Sequence, residues 1–137
     1  MNNLTISLFL ELIKSAIWNR KAEETLFTDI DEQIWTELVS FAESQSVSAL
    51  LYDGIMTLPE SVWPDRKIIY KLFLQTQFIE KRNRRFNEEL KNIFWEYEKL
   101  NTPFILLKGQ GNALFYPIPN HRSPGDIDLY LFNKGDY

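Results

Sequence analysis

One apolar seam constrains this chain more than any other feature. Ile69, Leu72, Thr76, Ile79, Asn83, Phe86, Leu90, Ile93, Tyr97 and Leu100 step by alternating threes and fours, the spacing of one long helix. Unbroken from Pro64, that helix is about 50 Å long at ~1.5 Å per residue, a backbone on which other elements must pack. Asn101-Thr102-Pro103 stops it, because proline lacks an N–H and disfavours helical geometry at the residue before it. Within the cluster Lys81-Arg82-Asn83-Arg84-Arg85 only Asn83 falls in the seam. The four basic side chains therefore read as a solvated face interleaved with Glu80, Glu88 and Glu89, ahead of a phosphate or nucleic-acid contact.

The residues before the seam predict three shorter helices. Leu8, Leu12, Ile13 and Ile17 recur at helical spacing, and the polar stretch 19–25 ends the first helix. Thr28 is the expected N-cap of the second, with Asp29, Asp31 and Glu32 in its first turn, where the helix dipole favours negative charge. Its buried stripe is expected at Ile34, Leu38 and Phe41, with Trp35 beside it. A third helix should start at Ser46 or Ser48, run through Leu50 and Leu51, and decay at Gly54 and Pro59. All three stripes read as core packing. Trp18, Trp35, Trp63 and Trp95 read as core or interface anchors rather than base-stacking platforms.

Composition removes several function classes. The chain has 137 residues, 45% of them apolar and 15% aromatic, enough for a packed core and against intrinsic disorder. With no cysteine there is no disulfide framework, thiolate zinc site or cysteine nucleophile, and one histidine argues against His-based metal sites and triads. The net charge of −4 hides an asymmetry, since residues 1–60 are strongly acidic and residues 61–100 are basic. A uniformly basic nucleic-acid-binding surface is excluded. Leu8-Phe9-Leu10 lacks a basic leader and meets Glu11 at once, and no run approaches the ~18 apolar residues of a membrane span. A soluble, cytoplasmic protein with no membrane partner is expected.

Beyond Pro103 the period changes. Phe104-Ile105-Leu106-Leu107 is a wholly apolar run, consistent with a strand buried on both faces. A short helix should follow from Gln110 to Tyr116, then a Pro-rich loop over 117–125, then a strand over 126–132. In that strand Asp126, Asp128, Tyr130 and Phe132 share one face while Ile127, Leu129 and Leu131 share the other. The two carboxylates are then roughly 7 Å apart along the strand at ~3.4 Å per residue. Their repulsion favours a shared hard cation such as Mg2+, although a solvated strand edge fits the spacing equally well. Lys108-Gly109-Gln110-Gly111 reads either as a tight strand-to-helix turn or as a backbone cradle for an anion. His121, the only histidine, reads as an exposed loop residue beside Arg122 rather than a carboxylate.

Residues 104–132, FILLKGQGNALFYPIPNHRSPGDIDLYLF, resemble the uncharacterised nucleotidyltransferase family of the polymerase-β-like nucleotidyltransferase superfamily. The resemblance rests on Leu107-Lys108-Gly109, Tyr116-Pro117, Arg122, Gly125 and Asp126-Ile127-Asp128-Leu129 in that order. It implies transfer of a nucleoside monophosphate from a nucleoside triphosphate to an acceptor hydroxyl of unknown identity, with Mg2+. By this resemblance Asp126 and Asp128 are the catalytic metal ligands, and Gly109 with the amides after it, beginning at Gln110, cradles phosphate oxygens. Lys108 and Arg122 neutralise developing charge. Gln110 stands where many superfamily members carry serine, so the resemblance does not extend to a hydroxyl contact with phosphate.

Two other acid motifs do not fit. In phosphatases of the haloacid dehalogenase type an apolar strand runs into Asp-x-Asp, whereas here Ser123-Pro124-Gly125 precedes the pair and the strand follows it. An EF-hand loop requires a closing glutamate that is missing. The fold class expected is α+β and mostly helical, with a helical region over 1–100 and an incomplete nucleotidyltransferase core over 101–137. The superfamily's third carboxylate comes from a later strand, and Asp136 is too close to Asp128 to serve. An N-terminal piece of a nucleotidyltransferase, inactive or nearly so alone, is therefore expected. The alternative is a non-catalytic helical interaction module with a degenerate core, pairing as a homo-oligomer through an open strand edge or the helical seam.

Overall fold

A computed structural model describes residues 3–132. The architecture is α+β and mostly helical, with a long helix followed by two antiparallel strands, as the sequence predicts. It divides into two compact units, Met1–Phe78 and Ile79–Tyr137. No helix among the described residues is long and apolar enough to cross a membrane.

In the first unit, helices α1 (Asn3–Ile17), α2 (Glu32–Ser44) and α3 (Ser48–Met56) pack with the opening turns of α4 (Arg66–Lys99). Leu8, Leu12, Leu38, Leu51, Ile55 and Leu72 are wholly buried at its centre. The buried stripe of α2 differs from expectation. Trp35, Leu38, Val39 and Ala42 are inside, while Ile34 and Phe41 are half-buried at the edge. Stacking of Trp35 on Phe27, with ring centres 5.7 Å apart, draws that face inward. The N-cap of α2 is Asp31, whose Oδ1 accepts from the Ile34 amide at 2.8 Å. Thr28 instead closes the preceding 3-10 turn and donates to the Thr25 carbonyl.

Gly54 does not mark the end of α3 but lies inside it. A Cβ there would collide with the backbone carbonyl of Leu12, so glycine is what lets α1 and α3 approach this closely. Trp63 is half-buried and donates its indole N–H to the Leu58 carbonyl, whereas Trp18 and Trp95 are exposed.

Helices α1, α2 and α4 end alike. Asn19, Ser46 and Asn101 each adopt a left-handed conformation just beyond the helix, and the next amide returns to a carbonyl of the last turn. These bonds run from Arg20 to Ser15, from Val47 to Ala42, and from Thr102 to Tyr97. Ser46 thus closes α2 rather than opening α3. The seam itself is as expected: Leu72, Thr76, Ile79 and Asn83 are buried, the residues from Phe86 to Tyr97 half-buried, and only Leu100 is exposed.

In the second unit, the remainder of α4 is followed by β1 (Phe104–Leu107), the short α5 (Gly109–Ala113), a 3-10 turn at Pro119–His121, and β2 (Asp128–Leu131). Phe104 pairs with Leu131 and Leu106 with Leu129, and the Phe104 ring meets Phe94 and Tyr97 of α4. One sheet face therefore packs on α4. Ile105 and Leu107 point the other way and are exposed, so β1 is covered on one face and not on both. Among the described residues, no element covers the face that carries Ile105 and Leu107. Pairing in β2 begins at Asp128, leaving Asp126 and Ile127 ahead of the strand. Asp136 lies outside the described residues.

Two outcomes follow for the first unit. Gly54→Ala should destabilise the chain by about 3 kcal/mol, because backbone rather than a flexible side chain stands in the way; urea unfolding measures this. The Lys71 ammonium, then the Gln75 amide, hold the Glu43 carboxyl below its ordinary 4.5. A lowered folded-state pKa gives stability that is present above the unfolded value and lost as pH falls through the folded one. Glu43→Gln should therefore cost a few tenths of a kcal/mol near neutral pH, reduced by water at this partly exposed pair, and nothing in strong acid.

Candidate functional site

The pairing of β1 with β2 gathers the acids and the Lys-Gly turn. Leu107 lies opposite Asp128, so the turn leaving β1 sits at the start of β2. Lys108 Nζ is 3.5 Å from Asp128 Oδ2, an ion pair with both ends open to water. The backbone of Gly109 runs beside Asp126, where a Cβ would stand 3.2 Å from the Asp126 carbonyl oxygen. Lys108, Gly109, Asp126 and Asp128 are thus neighbours.

This turn holds unusual backbone. Lys108 has φ 48° and ψ −141°, and Gly109 follows at φ +44°. Glycine tolerates positive φ, but for lysine the left-handed region brings Cβ against its own backbone and stores strain. The turn leaves the Lys108 side chain largely exposed.

The remaining predicted residues, Gln110 and Arg122, are tied to α4 by a polar stripe that no local sequence pattern reveals. Asn83 is wholly buried. Its Nδ2 donates to the carbonyls of Asn120 at 2.7 Å and Arg122 at 2.8 Å. Its Oδ1 accepts from Gln110 Nε2 at 3.1 Å, and the same nitrogen reaches Asn87 Oδ1 at 2.7 Å. Two carbonyls on one side oblige Asn83 to present its NH2 there, which turns its oxygen to Gln110 and fixes that amide in turn. The Gln110 side chain is therefore directed to the helix. The Arg122 guanidinium donates to the Ser123 carbonyl at 3.2 Å.

His121 departs from the sequence expectation. It is buried, with Nε2 3.0 Å from Glu80 Oε1, and not an exposed loop residue. Its carboxylate neighbour is distant in sequence, so the residues of the loop carry no sign of it. Lys81, Arg82, Arg84 and Arg85 are exposed as expected, with Arg84 and Arg85 paired to Glu80 and Glu89.

Electrostatically the site offers two hard oxygen donor groups, exposed Asp126 and half-exposed Asp128, with one ammonium beside Asp128. No imidazole or thiolate belongs to the set. Such donors fit a hard divalent cation that keeps part of its water shell, as Mg2+ does. No cluster of three or more metal-ligating side chains occurs among the described residues.

A family model described as uncharacterised nucleotidyltransferase matches residues 31–135. The match takes in α2, α3 and α4 as well as the two strands, so the helices belong to the same family unit as the Lys-Gly turn and the acids. No curated protein and no solved structure matches the chain.

The strained turn yields opposite effects at adjacent positions. Lys108→Gly should stabilise the chain by about 1 kcal/mol by relieving positive-φ strain, whereas Gly109→Ala should destabilise it by about 1–2 kcal/mol. Paired urea melts test both, and equal shifts of the same sign would contradict the strain.

Proposed function

The chain belongs to the uncharacterised nucleotidyltransferase family, and from that premise we propose that its site handles a nucleoside triphosphate and Mg2+ for transfer of a nucleoside monophosphate to an acceptor hydroxyl. The observation that carries this reading is the meeting of the Lys108-Gly109 turn with Asp126 and Asp128 across the β1–β2 pairing. An anion cradle and a cation site within reach of each other suit a metal–triphosphate better than either ligand alone.

Asp126 and Asp128 would hold the metal, which when bound would offset the negative charge of the triphosphate. The Gly109 and Gln110 amides donate to phosphate oxygens, and glycine is suited to the first position because a side chain there would crowd the Asp126 carbonyl. Lys108, with an exposed ammonium beside Asp128, would supply positive charge to the phosphates. Arg122 adds a second positive charge. In the transfer, a bond forms from the acceptor oxygen to the α-phosphorus while the bond to the bridging oxygen breaks. Pyrophosphate leaves with the electron pair and the hydroxyl proton passes to solvent. Much of the chain's contribution is positioning and charge, terms that dominate phosphoryl chemistry. A cytoplasmic setting suits such a substrate.

Calorimetric titration of the chain with ATP, GTP, CTP and UTP, with and without Mg2+, tests the proposal. Mg2+-dependent binding of at least one triphosphate is expected, with a loss of about tenfold or more when Asp126 and Asp128 are both changed to Ala. Binding unaltered by that double substitution would remove the reading.

A further inference from the structure

We infer that Asn83 is the positioning residue of this site, setting the triphosphate cradle without touching substrate; this rests on the nucleotide-binding reading above. Two parts of the proposed phosphate site come from separate stretches of chain: the turn ending in Gln110 and the loop carrying Arg122. One buried amide joins them. Asn83 gives both Nδ2 protons to the loop, at Asn120 and Arg122, and its oxygen to Gln110. Asn87, one turn on, takes a second bond from the Gln110 nitrogen.

The chemistry is specific to a carboxamide. Aspartate has the same shape but no donors, and would face two carbonyl oxygens with a carboxylate. Leucine would leave those carbonyls and the Gln110 amide without this partner in a place shielded from water. Asn83 therefore fixes where the Gln110 backbone amide and the Arg122 side chain start from, and preorganised donors bind a phosphate without a cost of reordering. The acids are held otherwise. Asp128 is placed by β-pairing to Leu107, and Asp126 precedes it on the same segment. Loss of the Asn83 amide should thus weaken triphosphate binding and spare the cation site.

That split is the test. In the full chain, Mn2+ affinity is read by water-proton relaxation and Mg2+–triphosphate affinity by calorimetry, with circular dichroism to confirm helical content. Asn83→Asp should weaken the best-bound triphosphate about tenfold while Mn2+ affinity stays within about twofold. Gln110→Ala keeps the backbone amide but releases it from Asn83 and Asn87, and should show the same split at about a third of the size; it decides the matter if Asn83→Asp does not fold. Unchanged triphosphate affinity in a folded variant would overturn the positioning role and leave the nucleotide reading standing. Parallel loss of Mn2+ and triphosphate in both variants would also overturn it, marking Asn83 as general scaffold. A wild-type chain that binds no triphosphate would take both proposals down together.

Discussion

The second unit depends on a polar side chain placed where an apolar one would ordinarily sit. Asn83 occupies a seam position of α4, fully shielded from water, and burying an amide there is unfavourable unless its hydrogen bonds are made. They are made, to two backbone carbonyls and one glutamine. Because both donors and the acceptor are committed, the loop at 120–122 and the start of α5 cannot shift independently without leaving a buried group unpaired. His121 adds a further tie from the same loop to Glu80. A helix that would otherwise offer only apolar packing thereby specifies the path of an irregular segment.

Much of this was legible in the sequence because helices and strands advertise their periods. The seam from Ile69 to Tyr97 is readable over the length of α4. Leu107 closes β1 just ahead of the Lys-Gly turn, and of the two acids in the Asp-x-Asp segment only Asp128 belongs to β2, Asp126 standing before it. What stayed hidden depends on distance. No local pattern tells that Gly54 exists to admit the Leu12 backbone rather than to end a helix, nor that Glu80 lies against His121. The cap of α2 lies three residues beyond Thr28, because Thr28 and Asp31 are both good caps and only the preceding 3-10 turn decides between them. β1 looked buried on both faces because a four-residue apolar run carries no information about how many layers surround it.

At the site, the sequence identified residue types but not their allegiances. The resemblance implies that Lys108 neutralises developing charge, and its side chain rests on Asp128 in a backbone conformation that lysine adopts only at a cost. Gln110 is anchored to α4 by its side chain and Arg122 by its backbone carbonyl. The distinction between a group that meets a ligand and one that holds another in place lies in hydrogen-bond direction, which spacing does not encode.

The continuity of α4 through both units bears on how the chain acquires its structure. Starting a helix is unfavourable, whereas lengthening an existing one adds a hydrogen bond for each residue ordered. Residues 66–78 are packed within the first unit, with Leu72 and Thr76 buried there. Residues 79–99 therefore need no nucleus of their own. The platform on which the strands and the Asn83 network assemble can grow from turns already stabilised elsewhere, so the sparse second unit inherits cooperativity that its own small core would not generate.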